Sequence, residues 1–184
     1  VVFLLHGGPQ GAWDDAWSYR WNPSLWAAQG WVVAAPNPRG SFGFGQKFVD
    51  EISQDWGGKV MGDLNAVFDA VVKLPYVDAA KQGIAGASYG GYAVDWIIAH
   101  DNRFKVAVSH DGVFNLDSMS NVTEELWFSD WEFGGAPWTP AAKAQYAKWS
   151  SHKHAVGLFG HGSETAMSLS VSFLRSPIST NAWS

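Results

Sequence analysis

The amino-acid sequence predicts an α/β fold with a mostly parallel sheet that is covered by helices on both faces. Short apolar segments alternate with longer segments whose apolar residues recur at helical spacing. A glycine-rich turn around Ser88 joins one of the apolar segments to one of the helical segments. No internal repeat and no long linker interrupts this alternation, so one main domain is expected.

The predicted strands are apolar runs that carry no helix caps. They cover residues 1–5, 31–35, 82–87 and 105–109. The second run is followed by Pro36 and Pro38, which end it. Runs that are apolar on both sides of the strand are typical of a buried parallel sheet.

Three segments between these strands are predicted to be helical. The first begins at Asn22 and Pro23, a cap followed by a first-turn proline, and Gly30 ends it. The second covers residues 60–74, carries apolar residues on one face, and ends before Pro75. The third covers residues 92–100, directly after the glycine-rich turn.

Ser88 lies in the sequence Gly86-Ala87-Ser88-Tyr89-Gly90, which has the form of a nucleophile elbow. A serine on so sharp a turn needs small neighbours two positions before and after it, and Gly86 and Gly90 meet that need. The turn exposes the hydroxyl and directs the Tyr89 backbone N–H toward a developing oxyanion. The pattern predicts an α/β-hydrolase fold with Ser88 as nucleophile; the alternative is a glycine-rich turn without chemistry.

A second glycine-rich loop follows the first predicted strand, with the sequence His6-Gly7-Gly8-Pro9. This fold places its second oxyanion donor in such a loop, and the Gly8 N–H is the candidate. His6 is interpreted as a residue that organises the loop. It is not expected to be the general base, because the base follows the serine along the chain in this fold.

Several further motifs occur in the order found in one known family. They are His6-Gly7-Gly8-Pro9-Gln10, Asn37-Pro38-Arg39-Gly40-Ser41, Asp55-Trp56-Gly57, Asp63-Leu64, the Ser88 elbow, and Ser109-His110-Asp111-Gly112-Val113-Phe114-Asn115. With them the chain resembles the catalytic domain of the prolyl oligopeptidase (S9) family of serine peptidases, particularly its dipeptidyl-peptidase and acylaminoacyl-peptidase branches. The resemblance covers about residues 1–154.

The resemblance also implies how the chain is organised. A β-propeller normally precedes this catalytic domain, and nothing in the sequence could encode one. We therefore expect residues 1–154 to form a fragment of the catalytic domain that is incomplete at both ends. Residues 155–184 are interpreted as a divergent tail of uncertain structure, native or frame-shifted.

Substrate-binding residues are also implied by the resemblance. In the resembling enzymes the loop after the Ser109 strand lines the pocket next to the scissile bond, which would place Val113, Phe114 and Trp127 around an apolar side chain. Glu124 and Glu125 could anchor a substrate amino terminus, but an exposed acidic helix turn is the preferred interpretation.

Arg39 and Asp63 belong to the same family pattern, and each is assigned a structural role. The arginine is expected to anchor its loop by bidentate bonding to a carboxylate. The aspartate, near the start of a predicted helix, would favour the positive end of the helix dipole.

The remaining members of a catalytic triad are not identified from the sequence. A serine nucleophile needs an acid and then a histidine after it in this fold. His161, in Gly160-His161-Gly162, is the candidate for the base, and no acid is assigned. The adjacent pair of His110 and Asp111 is interpreted as loop structure.

A zinc site is a further alternative for the last three histidines of the chain. His152, His154 and His161 include the His-x-His spacing, which can bind metal when another element supplies a third ligand. His152 and His154 are better interpreted as part of a solvated turn. No metal or other cofactor is therefore predicted.

Composition narrows the possible functions. The 184-residue chain has a formal net charge of -5, no cysteine and no apolar run long enough to span a membrane. Nucleic-acid and membrane partners are not expected, and thiol catalysis is excluded. The predicted function is hydrolysis of short peptides through an acyl-enzyme on Ser88; the alternatives are a small carboxylesterase or lipase and a non-catalytic relic. Compartment and oligomeric state stay open.

Overall fold

The computed structural model describes residues 1–155, which form a parallel four-stranded sheet packed with helices. The strand order is β2-β1-β3-β4. The strands are β1 (Val2–Leu5), β2 (Val33–Ala34), β3 (Gly83–Ala87) and β4 (Val106–His110). Each strand pairs in parallel with its neighbours, as the alternation of strands and helices predicted.

Seven α-helices and one 3₁₀ helix connect and follow the strands in this part of the chain. They are α1 (Pro23–Ala27), α2 (Gln46–Asp50), α3 (Lys59–Val71), α4 (Tyr89–His100), α5 (Leu116–Val122), α6 (Leu126–Phe133), α7 (Pro140–Trp149) and the 3₁₀ helix Ser151–His154. Within the described residues, none of these helices combines the length and apolar character that crossing a bilayer would require.

The main core lies on the sheet face that carries Phe3 and Ile84, and α3 and α4 cover it. Phe68 of α3 contacts Phe3 edge to face, with ring centroids 4.6 Å apart. Both rings also pack against Phe104, which precedes β4. Aromatic pairs of this geometry add attraction beyond the area they bury, so they fix α3 firmly on the sheet.

The opposite face of the sheet carries an apolar groove of about 530 Å³. Trp26 of α1 and Trp31 lie along it, together with Val2, Val106 and Val108 of the strands. Val106 retains 55% of its surface exposed. Helices therefore lie on both faces, but the described residues cover this face less completely than the core face.

Several element boundaries differ from the sequence-based prediction, three of them by enough to matter. The predicted strand over residues 31–35 shortens to Val33–Ala34 and is only half-buried, because β2 pairs with β1 alone within the described sheet. The α3 helix ends at Val71, four residues before Pro75, where short turns replace the helical pattern. The α4 helix begins at Tyr89, directly after Ser88, because the Tyr92 N–H already donates to the Ser88 carbonyl at 3.0 Å.

Candidate active site

Ser88 occupies the junction between β3 and α4, where the sequence predicted a strand-to-helix turn. Its backbone has φ 58° and ψ −119°, a conformation that residues with a side chain rarely adopt. Such backbone strain persists only where the surrounding structure enforces it, and it is common at catalytic residues. The Ser88 N–H donates to the His110 carbonyl at 3.0 Å, which ties the turn to the end of β4.

The two glycines around Ser88 have no room for a side chain. A Cβ on Gly86 would overlap the Gly90 backbone, and a Cβ on Gly90 would overlap the Leu5 carbonyl oxygen. β1, β3 and the start of α4 can therefore approach one another only because both positions lack a Cβ. This close packing holds the strained serine in place.

The loop after β1 lies beside the elbow. A Cβ built on Gly7 would be 3.9 Å from the Ser88 Oγ and 3.1 Å from the Ala87 carbonyl oxygen. Gly8, the next residue, has φ 137°, is exposed, and precedes a cis peptide bond to Pro9. The glycine loop and the serine turn are therefore neighbours at one edge of the sheet, as expected for a nucleophile and its oxyanion donors.

His6 holds the glycine loop through both nitrogens of its ring. Its Nδ1 lies 2.8 Å from the Gly7 carbonyl oxygen, and its Nε2 lies 2.9 Å from the Ser41 hydroxyl. Because a carbonyl can only accept, Nδ1 carries the proton and the neutral Nε2 accepts from Ser41. Burial lowers the pKa of His6, although the hydrogen bond to Gly7 acts in the opposite direction. These contacts agree with the predicted loop-organising role.

The Tyr89 side chain is anchored on the far side of the elbow. Its hydroxyl donates to the Trp56 carbonyl at 3.0 Å, and its ring meets the Trp56 indole at a centroid distance of 5.0 Å. Burial, and to a smaller degree the charge of Glu132, raises the pKa of Tyr89 well above its usual value. Tyr89 is thus a neutral, fixed residue whose backbone N–H stands at the first position of α4.

Arg39 and Asp63 form the bidentate pair that the sequence predicted for Arg39. The Arg39 Nε donates to Asp63 Oδ2 at 2.8 Å and Nη2 donates to Oδ1 at 2.7 Å, while the Arg39 backbone N–H adds a third bond at 3.0 Å. The helix-dipole interpretation of Asp63 is wrong. It lies beyond the first turn of α3, and its carboxylate is occupied by Arg39.

The three predicted substrate-binding residues lie on the segment after β4. Val113 packs against the core, whereas Phe114 is 41% exposed and Trp127 of α6 is 68% exposed. Glu124 and Glu125 are exposed, but they lie between α5 and α6 and not within a helical turn.

The interpretation of His152 and His154 as a solvated turn is wrong. Both belong to the 3₁₀ helix, and the His154 ring packs against Trp96 at a centroid distance of 4.5 Å. The backbone N–H of His152 donates to the Phe114 carbonyl at 3.1 Å. Residues 1–155 contain no group of three side chains placed to bind a metal ion. His161 lies outside the described residues.

Two buried acidic residues near the site were missed in the sequence. Asp95 of α4 accepts a hydrogen bond from the Ser109 hydroxyl at 3.1 Å, and burial raises its pKa to about 6. Glu132 of α6 is 1% exposed and accepts from Gln10 and Trp56, both at 2.7 Å. Both residues stand inside strongly apolar helices, and the sequence shows this. Because acidic side chains are rarely buried without partners, such a position indicates a buried carboxylate that accepts hydrogen bonds from other residues.

The parallel sheet, the strained serine between β3 and α4, and the glycine loop after β1 define an α/β hydrolase. The sequence model of the prolyl oligopeptidase family matches residues 17–171. The chain therefore belongs to the prolyl oligopeptidase family.

Curated relatives with high identity are fungal dipeptidyl-peptidases. A probable dipeptidyl-peptidase 5 of Aspergillus clavatus is 54% identical over 141 residues, which are 75% of this chain and 19% of that protein. The dipeptidyl-peptidase 5 of Trichophyton equinum is 47% identical over 156 residues, which are 83% of this chain and 21% of that protein. The chain thus spans about a fifth of the length of these relatives.

Solved structures of the same fold include two peptidases that share about a quarter of the sequence. The uncomplexed acylaminoacyl peptidase of Pyrococcus horikoshii has a TM-score of 0.77 and 27% identity, over 85% of this chain and 25% of that chain. A puromycin-hydrolyzing peptidase of Mycobacterium tuberculosis has a TM-score of 0.73 and 26% identity, over 85% of this chain and 23% of that chain.

Proposed function

We propose that these residues form the nucleophile and oxyanion parts of a serine peptidase that cleaves short peptides. The observation that carries the proposal is the position of Ser88, strained at φ 58° between β3 and α4, beside the Gly7-Gly8 loop. A serine held in this conformation presents its hydroxyl at the sheet edge. The membership of the prolyl oligopeptidase family supports peptide hydrolysis over other acyl-transfer reactions.

In the proposed reaction the Ser88 Oγ attacks the carbonyl carbon of the scissile peptide bond while its proton passes to a base. The oxygen of that carbonyl becomes an oxyanion, and the Tyr89 and Gly8 N–H groups donate to it. Collapse breaks the C–N bond, and the leaving amine takes the proton. Water then hydrolyses the acyl-enzyme, which releases the acid product and restores the Ser88 hydroxyl.

The two oxyanion donors are suited to this role for different reasons. The Tyr89 N–H stands at the first position of α4, and the first N–H groups of a helix have no carbonyl partner within the helix. Gly8 lies in an exposed loop with φ 137°, beside the serine turn. Fixed donors aimed at the developing charge are usually the largest contribution of this kind of site to catalysis.

The proposed reaction also needs a base and a substrate pocket. His161 is the candidate base, and His6 is held by Gly7 and Ser41. Val113, Phe114 and Trp127 are proposed to receive an apolar substrate side chain. The dipeptidyl-peptidase relatives make short peptides the first substrates to try.

Labelling with a fluorophosphonate tests the role of Ser88. We expect slow labelling of the chain at Ser88, identified by peptide mapping, and none in Ser88→Ala. Ser109→Ala, which removes another hydroxyl near the elbow, should label like the unchanged protein. Labelling that persists in Ser88→Ala would contradict the proposal, and complete labelling within minutes would show that an efficient base is present.

Comparing substrates separates a peptidase from an esterase. Aminoacyl amide and simple acyl ester chromogens should be offered to the same preparation, with Ser88→Ala as the blank. Turnover of the amide that depends on Ser88 supports the peptidase. Turnover of the ester alone would favour a small carboxylesterase, because the elbow and the oxyanion loop serve both reactions.

A further inference from the structure

Glu132 is a buried carboxylate that lies behind the two proposed oxyanion donors. Its side chain belongs to α6 and is 1% exposed. One carboxylate oxygen accepts from the Gln10 amide at 2.7 Å and from the Ser53 hydroxyl at 3.2 Å, and the other accepts from the Trp56 indole N–H at 2.7 Å. All three partners are donors, as an ionised carboxylate requires.

The contact with Gln10 leads to the Gly8 side of the site. Gln10 follows Gly8 by two residues, and the loop turns so tightly that a Cβ on Gly8 would be 2.8 Å from the Gln10 carbonyl oxygen. The Gln10 side chain has one further partner, the Ser53 hydroxyl at 3.4 Å. Holding the Gln10 amide therefore holds the end of the loop that carries the Gly8 N–H.

The contact with Trp56 leads to the Tyr89 side of the site. The Trp56 indole donates to Glu132, and its backbone carbonyl accepts from the Tyr89 hydroxyl at 3.0 Å. The Glu132 backbone carbonyl also accepts from the Gln54 N–H at 2.9 Å, which fixes the same segment. One side chain thus connects the residues that support both donors.

We propose that Glu132 is a positioning residue that sets the separation of the Gly8 and Tyr89 N–H groups in the oxyanion hole. This inference rests on the proposed function, because it assumes that these two groups bind the oxyanion. Displacements well below 1 Å matter for donors that must meet a developing charge at about 2.7–3.1 Å. A rigid carboxylate between the two supports restricts such displacements.

Stability by itself does not explain the carboxylate. Within the described residues Glu132 has no ion pair with lysine or arginine, and burying a charge costs free energy even when neutral donors surround it. An apolar residue of similar size would fill the same space without that cost. Direct binding of a substrate amino group is equally disfavoured, because the side chain has no accessible surface to offer.

The kinetic test measures hydrolysis of an activated N-acyl aminoacyl p-nitrophenyl ester by the 184-residue chain. This ester is chosen because its nitrophenolate leaving group departs without taking up a proton. Gln10→Glu sets two carboxylates against each other and should lower kcat about 10- to 100-fold, with KM changed less than about 3-fold, since one lost oxyanion donor costs about 10²- to 10³-fold. Glu132→Leu, which can accept from neither Gln10 nor Trp56, should lower kcat in the same way.

The exchanged pair provides the rescue. In the double variant Gln10→Glu with Glu132→Gln, the new amide can donate to residue 10 and accept from Trp56, so both hydrogen bonds return. We expect kcat to recover at least about 10-fold over Gln10→Glu. Glu124→Gln, on an exposed glutamate, is the matched control and should change neither constant. No recovery in the exchanged pair, or a change in KM alone, would overturn the proposal.

Amide hydrogen exchange provides a readout that does not depend on turnover. Residues 7–11 should exchange faster in Glu132→Leu than in the unchanged chain, and Ser88→Ala should leave this exchange unaltered. If the ester is not turned over but the exchange in residues 7–11 responds to Glu132, the proposed reaction fails while the positioning role stands. If exchange in residues 7–11 is unchanged in Glu132→Leu, the positioning role is wrong whatever the activity.

Discussion

The two loops that meet at the candidate site are held in different ways. The Ser88 turn is held by contacts between backbones, which are possible because Gly86 and Gly90 carry no side chain. The Gly7-Gly8 loop is held by polar side chains: His6 bonds to Ser41, and Gln10 bonds to Glu132. The Ser88 turn therefore depends on two residues that have no side chain, whereas the Gly7-Gly8 loop depends on hydrogen bonds between side chains.

This difference explains which loop the sequence reveals more fully. The glycines that shape the elbow lie two residues before and after Ser88, so the motif contains its own support. The partners of the glycine loop lie 35 and 122 positions further along the chain, at Ser41 and Glu132. The loop motif is visible in the sequence, but the residues that hold it are not.

The largest expected effect tests the glycine-dependent loop. Gly90→Ala would bring a Cβ into the Leu5 carbonyl oxygen, with no flexible side chain to move away. We expect a loss of about 3 kcal/mol or more in the free energy of unfolding, because a rigid backbone clash in a packed region relaxes poorly. Urea denaturation followed by tryptophan fluorescence measures the loss.

Gly62→Ala is the matched control for this substitution. Gly62 lies in α3, is exposed, and has nothing within 4 Å of the position of an added Cβ. The same change should there raise stability by about 0.5–1 kcal/mol, because alanine favours the helix more than glycine does. Equal effects at positions 62 and 90 would show that the close contacts do not hold the elbow.

The second effect concerns the helix behind the elbow. Burial raises the pKa of Asp95 from 3.8 in the unfolded chain to about 6 in the native state, so its ionisation opposes folding. Asp95→Asn should therefore raise stability at pH 8 by about 2–3 kcal/mol, and the amide oxygen can still accept from Ser109.

The contribution of Asp95 to the free energy of unfolding changes with pH in one direction. The native state binds the Asp95 proton more tightly than the unfolded state, so this contribution destabilises the protein fully above pH 6 and vanishes below pH 3.8. The gain in Asp95→Asn should accordingly shrink as the pH falls from 8 to 4. A gain that is the same at both pH values would argue against a raised pKa.

The third effect tests the side chains that hold the glycine loop. Ser41→Ala leaves the buried His6 Nε2 without its hydroxyl partner and should lower the free energy of unfolding by about 1–2 kcal/mol at pH 7.5.

His6 itself should affect the pH dependence of stability in the opposite sense to Asp95. Its pKa lies below 6.5 in the native state, so the unfolded chain binds the proton more tightly and stability falls as the pH drops through 6.5.

Thermal melts between pH 5 and 8 separate these two groups. His6→Gln should flatten the loss of stability toward acid pH, whereas Asp95→Asn should steepen it because the opposing contribution is removed. A parallel shift of the whole curve in His6→Gln, without a change of slope, would show that His6 does not titrate differently in the native state.

The smallest expected effect lies one step further from the loop. Arg39 pairs with Asp63 through two side-chain hydrogen bonds and holds the segment that carries Ser41. Arg39→Lys keeps the charge but cannot reproduce the bidentate geometry, and we expect a loss of about 1 kcal/mol. If Arg39→Lys costs more than Ser41→Ala, the Arg39–Asp63 pair is the main support of the segment.

Several predictions from the sequence agree with the structure because they rest on neighbouring residues. The apolar run of residues 1–5 and the glycines around Ser88 placed β1, β3 and the turn into α4 correctly. The prediction failed where distant packing decides, as at the half-buried β2 and at His154, whose ring meets Trp96 edge to face. Spacing along the chain does not show which aromatic ring a histidine will meet.

The sequence alone determined the parallel α/β arrangement, the position of the strained serine and the neighbouring glycine loop, because periodicity and glycine spacing act over a few residues. Only the tertiary structure decided that His6 forms a hydrogen bond with Ser41 and that Arg39 pairs with Asp63. It also decided that Glu132 accepts hydrogen bonds from both Gln10 and Trp56. The physical reason is that a buried polar group must find a hydrogen-bond partner in space. Many residues along the chain could supply that partner, and folding selects the one that lies within reach.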